Sequence, residues 1–145
     1  MSIADLSNIL HIFGGKELDP EQEQHLFKEA LLMTLARAAS SDSNVQSVEI
    51  TTIQEIVQRE TGIELSEQDV RKAARTELYE STPIKKYLTS AGHKLTNTDR
   101  VAIVHLLAEV IKSDTAVSVL ELDYFNMVAE ALKTTPAELA GLTSD

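Results

Sequence analysis

Two stretches decide the fold: ALLMTLARAASSDSNVQSVE at residues 30–49 and AIVHLLAEVIKSDTAVSVLE at residues 102–121. Each runs from an almost wholly apolar segment, through a short acidic loop, into a second amphipathic segment. A helix that is apolar all round is one that other elements enclose, so 30–39 and 101–111 are expected to form two central helices. The loops repeat at an offset of 72 positions, with identities at Ser41/Ser113, Asp42/Asp114, Val45/Val117 and Glu49/Glu121. The segments that follow align too, Ile53 against Phe125 and Val57 against Ala129. Two copies are not a solenoid array. They predict two similar helical hairpins about an approximate dyad, neither able to cover its central helix alone.

Helix punctuation extends this reading. Asp19-Pro20-Glu21-Gln22 offers an N-cap, a proline at the first helical position and a Gln at the third. Ser66 with Asp69, Ser118 with Glu121 and Thr135 with Glu138 have the same capping-box spacing. Helices are expected near 2–13, 20–40, 47–60, 67–80, 83–90, 98–112, 119–132 and 136–142. Gly14-Gly15, Gly62 and Gly92 fall at breaks. No alternating strand pattern stands out. In 48–57 the apolar stripe is Ile50, Ile53, Ile56 and Val57; in 119–132 it is Leu122, Phe125, Val128, Ala129 and Leu132. The expected fold is all-α, a compact bundle of about seven to eight helices, in one domain over 1–145 with halves near 20–80 and 96–142.

Composition limits the function. The 145 residues include no Cys, which removes disulfide, zinc-thiolate and cysteine-nucleophile chemistry. The net charge is −10, and an acidic surface repels phosphate backbones, so no nucleic-acid partner is expected. No signal peptide stands out in MSIADLSNILHIFGG, and no apolar run reaches the roughly 20 residues of a transmembrane helix. A cytoplasmic protein is expected. There is no phosphate-binding glycine loop and no nucleophile elbow. The histidines, His11, His25, His93 and His105, form no metalloprotease pair, and His105 is read as a hydrogen-bonded core residue. Residues 71–100 carry Arg71, Lys72, Arg75, Lys85, Lys86, Lys94 and Arg100 against Glu77, Glu80 and Asp99, a net +4 in an otherwise acidic chain. This is either a solvated connector or a docking face for an acidic partner or lipid headgroups. The first segment puts Ile3, Leu6, Ile9, Leu10 and Phe13 on one face. It either docks on its own bundle or packs on a partner, a second copy included.

The repeated Asp-x-x-Val-x-x-x-Glu carries the chemistry. Val45 and Val117 can pin each loop to the core. Asp42 and Asp114 end one helix, and Glu49 and Glu121 open the next. Two readings stay open. A Glu in a first turn favours the macrodipole and reaches back to the N-cap amide, while an Asp in a short loop bonds its own backbone. Alternatively Asp42, Glu49, Asp114 and Glu121 supply hard oxygen ligands for calcium, magnesium or manganese. The spacing is not that of an EF-hand, since Glu stands at position 8 from Asp and the glycine is missing. A catalytic cation would further need an open coordination position and a placed acid or base, and no His lies near either loop in sequence. No enzyme is expected. A purely structural, dimerising bundle without metal is the remaining alternative.

The two copies, each behind an apolar helix, resemble the TerB-like domain of tellurite-resistance proteins, a module also found at the N-terminus of the membrane co-chaperone DjlA. The family pattern is Asp-Gly-x-Val/Ile-x-x-x-Glu after an Ala-rich helix end. Here Ala38-Ala39-Ser40-Ser41-Asp42 leads to Val45 and Glu49, and Ile111-Lys112-Ser113-Asp114 leads to Val117 and Glu121. The resemblance covers about residues 20–142. It implies an all-α fold of seven or so helices and a bacterial stress role linked to tellurite and other toxic agents. It also implies action through protein partners at the inner membrane face and a metal-binding acidic surface. Ser43 and Thr115 replace the family glycine, and β-branched Thr115 resists the left-handed turn a glycine permits. No J domain or membrane anchor is visible, so co-chaperone activity is not expected.

Overall fold

The computed structural model describes residues 19–39, 47–74, 84–113 and 119–141. Among them are seven helices: α1 (Pro20–Ala39), α2 (Ser47–Thr61), α3 (Glu67–Ala74), α4 (Ile84–Gly92), α5 (Asn97–Lys112), α6 (Val119–Ala131) and α7 (Pro136–Leu139). The described residues contain no strand. The expected helix 2–13, the Gly14-Gly15 break and the cap residue Ser118 lie outside the described residues.

The helices start where their capping residues dictate. Asp19 Oδ1 accepts from the Gln22 amide at 2.8 Å while Gln22 Oε1 accepts from the Asp19 amide at 2.9 Å. Ser66 and Asp69 exchange the same pair of bonds at 3.0 Å each, and so do Thr135 and Glu138 at 3.0 and 3.1 Å. In each case two orphan amides of a helix N-terminus are satisfied by four consecutive residues. Thr96 Oγ1 accepts from the Asp99 amide to open α5. Gly62, at φ 77°, ends α2.

The end of α6 is built differently. The Lys133 amide donates to Glu130 O and the Thr134 amide to Ala129 O, both at 3.0 Å, a Schellman closure. The left-handed residue in it, at φ 56°, is Lys133. From the neighbouring helix, Arg100 Nη1 donates to Leu132 O at 2.7 Å and to Lys133 O at 3.2 Å. A cation therefore sits where the helix leaves carbonyls and negative dipole exposed.

Helix α1 is the centre of the bundle. Residues 30–36 are all buried, which no one-sided helix allows. It packs against α2, α3, α4, α5 and α6. Helix α5 packs against α1, α2, α6 and α7. One face of it stays open, and His105 and Glu109 stand there exposed. His105 is therefore not a core residue: its Nε2 lies 2.8 Å from Leu139 O and ties α5 to α7. Leu31, Leu35 and Ile56 are buried, and so are their counterparts 72 positions on, Ile103, Leu107 and Val128. They join one continuous apolar cluster.

The equivalence breaks at the start of α6. The apolar stripe places Leu122 inside, yet Leu122 is 51 % exposed, and its neighbour Glu121 is the buried one at 4 %. Successive helical residues stand about 100° apart. Here the helix is turned so that Glu121, Val128, Ala131 and Leu132 face inward, while Phe125 and Ala129 lie half-buried at its edge. Tyr124 explains the turn. Its hydroxyl donates to Thr34 O on α1 at 2.8 Å, which holds that side of α6 against the central helix.

Candidate functional site

The four carboxylates of the repeated motif are placed unequally. Asp42 and Asp114 lie outside the described residues, as do Val45, Val117, Ser43 and Thr115. Glu49 falls in the first turn of α2, but its side chain is outside the description. Glu121 alone among the four is described to its tip. It is the third residue of α6, faces the bundle and is nearly inaccessible. Among the described residues, no group of three or more His, Asp or Glu side chains gathers at one point.

Glu121 is one of three buried polar residues in the described structure; Glu29 and Thr34 are the others. All three lie on the helices that meet around α1. Glu29, on α1, is 1 % exposed and accepts from the Tyr87 hydroxyl of α4. Burying a carboxyl without a donor is costly, and the phenol supplies one. Burial pushes the Tyr124 hydroxyl above its ordinary range, offset in part by the Arg37 charge. Tyr124 therefore serves as a neutral donor to Thr34 O. The Thr34 hydroxyl itself is fully buried and finds no hydrogen-bond partner among the described residues. Sequence reading passed over Glu29. An acidic residue at a position on the wall of a central helix is the signal that would have found it.

Two residues of the basic stretch are engaged within the fold. Arg71 pairs with Glu67 within α3 at 3.2 Å, and Arg100 is spent on the end of α6. Lys85 and Lys86 are exposed on α4. Arg75 lies outside the described residues. Elsewhere Arg59 of α2 grips Glu109 of α5 through two bonds of 3.0 and 3.1 Å. That guanidinium holds the Glu109 carboxyl below its usual range.

As ligand chemistry, the motif suits a hard divalent cation. Its donors are carboxylate oxygens, and Glu121 brings one of them inside the protein surface. The same register also suits a cap. Glu121 holds the third helical position, as Glu138 does in α7, where that carboxylate returns to the N-cap amide.

No helix among the described residues is long and apolar enough to cross a membrane. Searches of curated proteins and of solved structures give no match. The family model described as "Tellurite resistance protein TerB" matches residues 15–143, nearly the whole length. With the all-helical bundle and the repeated acidic motif of the sequence already in view, the match is decisive: the chain belongs to the TerB family.

Proposed function

We propose that this protein is a non-enzymatic accessory factor of a bacterial stress response of the tellurite-resistance type. In this reading it works in the cytoplasm, at the inner face of the membrane, by binding other proteins. A divalent cation (calcium, magnesium or manganese) held by Asp42, Glu49, Asp114 and Glu121 sets the shape of the acidic corners. The observation that carries the cation is the burial of Glu121 at 4 % in the first turn of α6, seven positions after Asp114 in sequence. Its carboxylate is a hard oxygen donor of the kind these cations take. TerB membership supports the stress association.

A second reading is favoured by the capping box of Thr135 and Glu138. If Glu121 makes the same closure with Ser118, the corners are helix starts, and the protein is a structural or dimerising bundle. Thermal unfolding with millimolar calcium, magnesium or manganese separates the two. A ligand bound to the folded state alone raises the melting temperature. A rise in the wild-type protein that is lost in Asp42→Ala/Asp114→Ala supports the cation. Superimposed curves with and without each metal leave the second reading.

A further inference from the structure

We propose that α6 has two registers on the core and that Tyr124 is the latch holding it in the observed one; released, the helix turns into the register that α2 already shows. The 72-residue repeat allows the comparison position by position. In α2 the inward set is Ile50, Ile53, Ile56 and Val57, each at most 2 % exposed. Their counterparts in α6 are Leu122, Phe125, Val128 and Ala129. Of these only Val128 is buried; Phe125 and Ala129 are half-buried and Leu122 is exposed. The inward set of α6 is instead Glu121, Val128, Ala131 and Leu132. At 100° per residue the mid-lines of the two sets lie about 70° apart. A turn of that size about the axis of α6 carries Leu122, Phe125 and Ala129 inward and Tyr124 and Ala131 outward. Arg59, the counterpart of Ala131, is exposed in α2.

What opposes the apolar pattern is polar. The Tyr124 hydroxyl donates to Thr34 O on α1 at 2.8 Å, and at the other end of the helix Arg100 donates to Leu132 O at 2.7 Å. The counterpart of Tyr124 in α2 is Thr52, whose hydroxyl stands on Cβ and has no such reach. The half without the tyrosine takes the register its apolar spacing asks for, and the half with it does not. Local pattern and long-range bond thus pull α6 in different directions. Packed cores answer such a conflict with discrete arrangements rather than a continuum. A ligand biases two arrangements only by preferring one, so whatever engages Leu122 from outside holds α6 as observed. The device stands apart from the cation reading and needs no metal.

The chain has no cysteine, so single thiols report the register. Leu122→Cys, Ala131→Cys and, as a control, Asp123→Cys are made in the full chain. Asp123 and its counterpart Thr51 are both exposed, so the control is open in either register. In the native background the Leu122→Cys thiol should react at the control rate and the Ala131→Cys thiol at least about tenfold more slowly. Adding Tyr124→Thr should slow the first by about tenfold and quicken the second by about tenfold. Opposite signs are the signature of rotation, because loosening of the helix quickens both. Unchanged rates, or quickening at both positions, in a variant that still unfolds cooperatively overturn the proposal. Where Tyr124→Thr does not fold, Tyr124→Phe decides, since it keeps the ring and loses only the bond. The same opposite shifts in that variant support the proposal, and their absence overturns it.

Discussion

Arg100 of α5 donates to the Leu132 carbonyl at the end of α6, at 2.7 Å. The bond joins the first turn of one helix to the last turn of the next. It supplies a formal charge where backbone carbonyls would otherwise lack donors. Hydrogen bonds to a charged group are worth about 1.5–3 kcal/mol, and this one is shared with Lys133 O. Arg100→Ala should lower unfolding stability by about 2 kcal/mol, measured by urea denaturation. Arg100→Lys should recover part of that, since one ammonium reaches one carbonyl less rigidly than a planar fork.

Lys133 occupies the left-handed position of the Schellman closure, at φ 56°. A residue with a Cβ gives up about 1 kcal/mol there relative to glycine. Lys133→Gly is therefore expected to raise stability by about 0.5–1 kcal/mol, read from the shift of the denaturation midpoint at unchanged slope. The same substitution in the middle of α6 would have the opposite sign.

The buried polar groups around α1 are expected to respond in opposite directions. Thr34 buries a hydroxyl with no partner among the described residues. Thr34→Val keeps the shape, removes the desolvated oxygen and should stabilise the fold by about 1 kcal/mol. Tyr87→Phe removes the phenol that donates to the Glu29 carboxyl and should destabilise by about 2 kcal/mol or more, because a carboxyl loses a donor in an apolar setting. Thermal unfolding of the two variants beside wild type checks both signs.

The Arg59–Glu109 pair predicts a pH dependence. Glu109 is held below its ordinary carboxylate range in the folded protein. Its contribution is therefore present above the unfolded-state value, near 4.5, and is lost as pH falls through the folded value. Glu109→Gln should lower the melting temperature slightly at pH 7 and not at pH 2. Half a molar salt should shrink the pH 7 difference, since both side chains are solvent-exposed.

Which parts of this were legible in the sequence follows from the range of the interactions. The caps at Asp19, Ser66 and Thr135 involve residues three apart, so a local pattern announces them. The helices they open match the sequence reading to within a few residues wherever they are described. The rotation of α6 was not legible. Glu121 and Leu122 are adjacent, and the choice between them is made by Tyr124 reaching Thr34, 90 positions away. The exposure of His105 was missed for the same reason, because its partner lies in the short α7. Arg100 was read as part of a charged stretch, yet its role depends on where α6 ends. Of the acidic motif, the residue types and their repetition were visible. The description reaches only Glu121 at its side chain, and the inward direction of that carboxylate is a fact of packing, not of spacing.

The mutual burial of α1 and α5 has a consequence for how this molecule comes apart. Leu31 and Leu35 on one helix, with Ile103 and Leu107 on the other, belong to the same apolar cluster. Severing the chain between residues 74 and 84 would give two fragments, each with a bare oily wall and neither with anything of its own to lay over it. Such fragments have reason to recombine rather than to persist singly.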